Sequence, residues 1–155
     1  MAENAHAMWE YDPGVPGSKV LNGSLDVISA IRTLAVKIQA SGQRIQAFHK
    51  DQIESGINPP LQIPLHSNIR WGTALRMLLR AYDLRDAIDL FICAADKRFG
   101  PITTIRVNGR ITKTIPWTAF TFKKSDWNRV RELTLILQDA DCNRLKCDSA
   151  TDVLT

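Results

Sequence analysis

Apolar residues first fall into helical register at Val27, Ile31, Leu34 and Ile38, flanked by Ile28 and Ala35, which predicts a helix from about Leu25 to Ala40 with one buried stripe. Ser24 offers an N-cap hydroxyl, and Asp26 puts negative charge in the first turn, where the helix dipole favours it. Gly42 either ends this helix or only weakens it; Ile45, Phe48 and Ile53 carry the spacing on, continued or resumed, to about Glu54. Ahead of it, residues 1–23 hold Pro13, Gly14, Pro16, Gly17 and Gly23 and read as an irregular lead-in.

The stretch SGINPPLQIPLHS, Ser55 to Ser67, contains three prolines. Each removes an amide donor and pushes its predecessor out of the helical region, so an extended connector is expected, able to lay Leu61, Ile63 and Leu65 along another element as an edge strand. Two stripes follow: Trp71, Leu75, Leu78 and Tyr82, then Ile88, Phe91, Ile92, Ala95 and Phe99. They predict one long helix, or two joined near Leu84, running to about Arg98 and stopped by Gly100-Pro101. TTIRVNGRITKTI, Thr103 to Ile115, alternates around Asn108-Gly109, a pair suited to the positive φ angles of a type I′ turn, so a β-hairpin is expected that leans on helices. Ser125 is the expected cap of a last helix that buries Trp127, Val130, Leu133, Leu137 and Ala140, with Ile136 adjoining, and fades near Asp141 or Cys142. The pattern is mainly α: three or four helices and a hairpin near 103–115, with the helical stretch over 24–141 and an irregular tail over 142–155.

Composition changes this picture little. An apolar fraction of 45% and a charged fraction of 23% suit one globular unit. No apolar run approaches the roughly 18 residues of a membrane-spanning helix, and Met1 to Tyr11 carries acids where a signal peptide needs a basic start. Three cysteines, Cys93, Cys142 and Cys147, form no disulfide framework, so nuclear or cytoplasmic residence is expected rather than secretion. Charge is uneven. Met1 to Ala30 holds Glu3, Glu10, Asp12 and Asp26 against Lys19, whereas Lys97 to Arg131 holds nine bases against Asp126 alone. That block (Lys97, Arg98, Arg106, Arg110, Lys113, Lys123, Lys124, Arg129, Arg131) is either a solvated surface or a footprint for a polyanion. Trp117, Phe120, Phe122 and Trp127 interleave with it, a composition compatible with nucleic acid; Trp127 is read as packing the last helix, and the other three as either core or surface.

No phosphate-binding Gly-rich loop is present. Cys142 and Cys147 have no His nearby to complete a zinc set, so no metal or cofactor is expected. His49 and His66 sit beside no nucleophile. Asp83, Asp86 and Asp89 follow helical spacing and read as a solvated face, and Asp12, next to Pro13-Gly14, reads as a turn residue.

Three blocks in order resemble hAT-type DNA transposases, particularly the fungal branch. LHSNIRWGTALRMLLRAYDLRDAIDLFI resembles the family's Arg-Trp segment, with Arg70-Trp71 as the pair and Met77 to Phe91 as the helix after it. AIRTLAVKIQASGQRIQAF, Ala30 to Phe48, resembles the upstream helix, and FGPITTIRVNGRITKTIPWTAF with SDWNRVRELTLILQDAD resembles the downstream loop and Trp-containing helix. The resemblance implies an incomplete fragment of an RNase H-like α/β transposase core with the start of its helical insertion domain. The family's active site is two aspartates and a glutamate that bind divalent metal. No residue here matches any of the three, and NRLKCDSATDVLT departs from the pattern. In the family the Trp of the pair is associated with stabilising a flipped or unpaired base, which makes Arg70 and Trp71 candidate DNA contacts; the competing reading of Trp71, as the first core residue of its stripe, is the one the missing active site favours. With them stand Arg106, Arg110, Lys113, Lys123 and Lys124 from the basic block. The expectation is a transposase-derived chain with no catalysis of its own and weak, salt-sensitive DNA binding. The alternative is a helical interaction module that joins transposase subunits or itself.

Overall fold

The computed structural model describes residues 11–14, 25–64 and 71–153; of Trp71 and of 141–153 it describes the backbone alone. Five α-helices and one antiparallel hairpin are found there: α1 Val27–Gln39, α2 Gly42–Glu54, α3 Trp71–Asp83, α4 Arg85–Phe99, β1 Thr103–Val107, β2 Arg110–Ile115, a 3-10 turn Trp117–Phe120 and α5 Lys124–Val153. α3 packs along α5 and α2 along α4, while α1 touches α2, α3 and α5, so a single core runs between the two pairs. The fold is mainly helical, with five helices where the pattern allowed three or four, because both open joints are real breaks: the chain turns at Ser41 and again at Leu84.

Helix α1 buries Val27, Ala30, Ile31, Leu34, Ala35 and Ile38, the expected stripe. Its cap is Asp26 rather than Ser24, which lies outside the described residues. The Asp26 carboxylate accepts from the Ser29 backbone N–H at 3.2 Å and from its hydroxyl at 2.8 Å, and the Asp26 N–H donates to the Tyr11 hydroxyl at 3.0 Å. Helix α2 closes in the two-bond Schellman arrangement: Ile57 N–H donates to Gln52 C=O and Gly56 N–H to Ile53 C=O, with Gly56 at φ +86° as this terminus requires.

The connector after α2 is extended as far as it is described, to Pro64, and that part pairs with no strand. Its backbone is held by side chains. The buried Gln52 carboxamide accepts from Leu61 N–H at 2.7 Å and donates to Leu61 C=O at 2.9 Å, as a neighbouring strand would. Gln39 donates to Ile63 C=O and Arg80 to Gln62 C=O. Ile63 is thereby buried, whereas Leu65 lies outside the described residues.

The hairpin turns at Asn108 (φ +53°) and Gly109 (φ +78°), the positive pair its sequence calls for. Its register pairs Thr103 with Ile115 and Val107 with Arg110, with a bulge beside Ile105/Arg106. Ile102, Thr103 and Ile115 anchor its root in the core. Helix α5 departs most from expectation. It begins at Lys124, because Asp126 reaches back to accept the Lys123 N–H at 2.8 Å, leaving Ser125 exposed inside the first turn. It buries Trp127, Val130 and Thr134, half-buries Leu133 and Leu137, leaves Ala140 and Ile136 exposed, and stays helical to Val153. No helix among the described residues is long and apolar enough to cross a membrane.

Replacing Gln52 with alanine removes both bonds to Leu61 and leaves a gap in the core, so a loss of about 2–4 kcal/mol in urea unfolding is expected. Protection of the Leu61 amide from hydrogen exchange should vanish with it, while Ile53→Ala, at a 52% exposed neighbour, should cost under about 1 kcal/mol. Equal losses for the two variants would refute the clamp.

Candidate nucleic-acid interface

The candidate bases divide between two places. Arg106, Arg110 and Lys113 lie on the hairpin, all exposed; Lys123 and Lys124 lie where α5 begins, also exposed. Arg70 lies outside the described residues, and Trp71 is placed only as the first backbone position of α3. Of the nine bases between Lys97 and Arg131, three are neutralised. Arg98 reaches Asp51 at 3.4 Å, Lys113 pairs with Asp12, and Arg129 pairs with Asp126. Among the described residues no carboxylate pairs with Lys97, Arg106, Arg110, Lys123, Lys124 or Arg131.

The interleaved aromatics are core. Trp117 and Phe120 are fully buried, and Phe122 and Trp127 are each 6% exposed, so no ring among these four offers a face to a base. Trp117 meets Phe91 edge-on at 5.3 Å, Phe120 meets Tyr11 edge-on at 6.0 Å, and Phe122 stacks on Trp127 at 4.4 Å. The Arg44 guanidinium covers Trp117 at 5.4 Å and donates to Lys37 C=O at 2.9 Å, closing the α1–α2 corner.

The aspartates act as staples. Asp96 on α4 accepts from the backbone N–H groups of Trp117 and Thr118 at 2.7 and 3.3 Å, capping the 3-10 turn. Asp89, expected on a solvated face with Asp83 and Asp86, accepts instead from the Trp127 indole N–H, both oxygens at 3.2 Å, joining α4 to α5; Asp83 and Asp86 are exposed. Asp12 accepts from Gly14 N–H at 2.8 Å in the expected turn. Asp51, its side chain 1% exposed, holds Arg98 across the α2–α4 contact. Burial raises the Asp51 carboxyl above the ordinary carboxylate range against the pull of Arg98, and burial raises Asp89 against the indole hydrogen bond. For Asp12, burial is outweighed by Lys113 and the Gly14 N–H, and its pKa falls. Among the described residues no three His, Cys, Asp or Glu side chains cluster closely enough to hold a metal ion.

Sequence reasoning missed the contacts of Asp51, Asp89 and Asp96, and the exposed Val107 and Ile111 beside the hairpin arginines. For Asp89 the available signal was its place on α4 one turn before the buried Ile92.

A mainly helical domain with a short two-stranded ribbon is the class these features define. Residues 18–112, well over half of the chain, match the family model described as the ZBED1 RNase-like helical domain, and the chain belongs to that family. The match covers α1 to α4 and most of the hairpin, including Arg70, Trp71, Arg106 and Arg110; Lys113, Lys123 and Lys124 fall beyond it. No curated protein and no solved structure matches the chain.

A carboxyl whose folded pKa is raised binds its proton more tightly when folded, so stability falls as pH rises from the ordinary 3.8 through the raised value. Asp89→Asn keeps an oxygen for the Trp127 indole and removes that charge. Its urea midpoint, relative to the parent chain, should therefore improve between about pH 3.5 and about pH 7. A difference that stays constant over that interval would show that ionised Asp89 carries no such penalty.

Proposed function

We propose that this chain is a transposase-derived helical protein of the hAT type, from the fungal branch, corresponding to the insertion domain beside an RNase H-like core. It performs no strand cutting or joining by itself and associates weakly with DNA, in the nucleus or cytoplasm, through the bases between Lys97 and Arg131 that no carboxylate among the described residues pairs. Membership of the helical-domain family supports the descent. The observation that carries the DNA reading is the set of six bases in that interval with no carboxylate partner among the described residues, since phosphate neutralisation by such groups releases counterions. The reading without catalysis is supported by the occupations of Asp12, Asp26, Asp51, Asp89, Asp96 and Asp126, each engaged in a cap, an ion pair or an indole contact. Filter binding of duplex DNA at low and moderate salt tests this. Affinity should fall steeply with salt, and binding that is absent at both, or indifferent to salt, removes the DNA reading.

A second reading, a helical interaction module that joins transposase subunits or a second copy, is favoured by the outer face of α5. There Leu135 and Ile136 are 54% and 62% exposed, and Ile136 borders an apolar groove shared with Leu25, Ile28 and Leu133. Light scattering on the purified chain separates the two: a monomer across the micromolar range argues against self-association.

A further inference from the structure

The two ends of the hairpin live in different surroundings. Its root is buried at Ile102, Thr103 and Ile115, with exposures of 4%, 5% and 2%, yet every residue from Arg106 to Thr114 is exposed. Two apolar side chains stand out on that exposed part, Val107 at 47% and Ile111 at 58%. From Thr103 to Ile115 the ribbon carries Arg106, Arg110 and Lys113 and no acid. Lys113, near the root, is paired with Asp12, so among the described residues the two arginines are the ribbon's charges that no carboxylate pairs.

Their register is the informative feature. Arg106 faces Ile111 and Val107 faces Arg110 across the strands. Cross-strand partners share a face, and successive pairs lie on opposite faces. Each face of the tip therefore presents one guanidinium beside one aliphatic side chain. A ribbon lying flat on a charged surface would use one face; a ribbon inserted between two walls of negative charge would use both. The major groove of B-DNA is such a slot, about 12 Å wide and about 8.5 Å deep, and it admits a two-stranded ribbon. Five residue steps separate Arg110 from the buried Ile115, roughly 16 Å at the strand rise, which exceeds that depth.

Resting on the DNA reading above, we infer that the hairpin enters the major groove of duplex DNA tip first, with Arg106 and Arg110 on its opposite faces engaging the two phosphate walls, Ile111 and Val107 lying beside them on those faces, and the Asn108-Gly109 turn toward the base edges.

The test uses the full chain and a fluorescent duplex of about 20 base pairs, with a single strand of equal length as comparison. Three proteins are titrated over a salt series: the parent, Arg106→Ala/Arg110→Ala, and Arg32→Ala/Lys50→Ala, which loses the same charge from exposed positions on α1 and α2, outside the basic block. Circular dichroism melting establishes that each is folded. The parent should prefer duplex. The hairpin variant should lose about tenfold or more in affinity, and its slope of log affinity against log salt should become shallower by about 1.8, two phosphates at about 0.9 each. The α1/α2 variant should lose under about threefold. If the parent binds but the hairpin variant matches it, or the α1/α2 variant loses as much, the ribbon assignment fails while DNA association stands. Equal affinity for single strand and duplex also overturns groove insertion. A parent chain that binds neither, and instead is retained by an acidic protein surface, overturns the DNA reading itself.

Discussion

Phe91 is where the separate parts of this chain converge. Its ring meets Phe48 of α2 edge-on at 5.8 Å, Phe99 of its own helix in a stacked contact at 6.0 Å, and Trp117 of the 3-10 turn edge-on at 5.3 Å. Aromatic side chains of this size each bury roughly 150–250 Å², so this cluster carries a large share of the apolar surface that holds α2 to α4. Because Trp117 is also held at its backbone by Asp96 and covered by Arg44, the chain leaving the hairpin is pinned from three sides. The place where the ribbon emerges from the body is therefore a property of the core.

The helices were legible because burial and periodicity say the same thing twice: Val27, Ile31, Leu34 and Ile38 fall on one stripe, and all four are buried. Asn108-Gly109 was as plain, since few residue pairs tolerate two successive positive φ angles. Polar residues in the interior were not legible. Nothing in the run around Gln52 marks it as a buried clamp, because its partners, Leu61 N–H and C=O, lie nine residues on and are revealed only when the connector folds back. Basic and aromatic residues interleaved between Lys97 and Arg131 suggested stacking platforms, yet the rings turn inward and the charges outward. The end of α5 was misjudged for a different reason. After Ala140 the apolar stripe stops, which reads as a helix fading, but no Gly or Pro follows to break it and the backbone continues to Val153.

Charge follows a related division of labour. Carboxylates are drawn inward to cap helices, grip an indole or meet an arginine, and each one so used is withdrawn from the surface balance. The net charge of +4 therefore understates how basic the outer surface of the hairpin is. Position decides this more than composition: Lys113 and Arg110 are three residues apart on one strand, yet the former is matched by Asp12 and the latter meets no carboxylate among the described residues.

A ribbon rooted in packed aromatics and free at its tip has a length that the body does not dictate. Loop tips of this kind are where inserted residues are accommodated with least disturbance. Since side chains alternate along a strand with a period of two, residues added symmetrically in pairs on either side of Asn108-Gly109 would lengthen the reach and preserve which face each side chain takes, whereas a single added residue would exchange the faces of one strand. The span of the projection could thus drift between relatives by even steps while α1 to α5 kept the same packing.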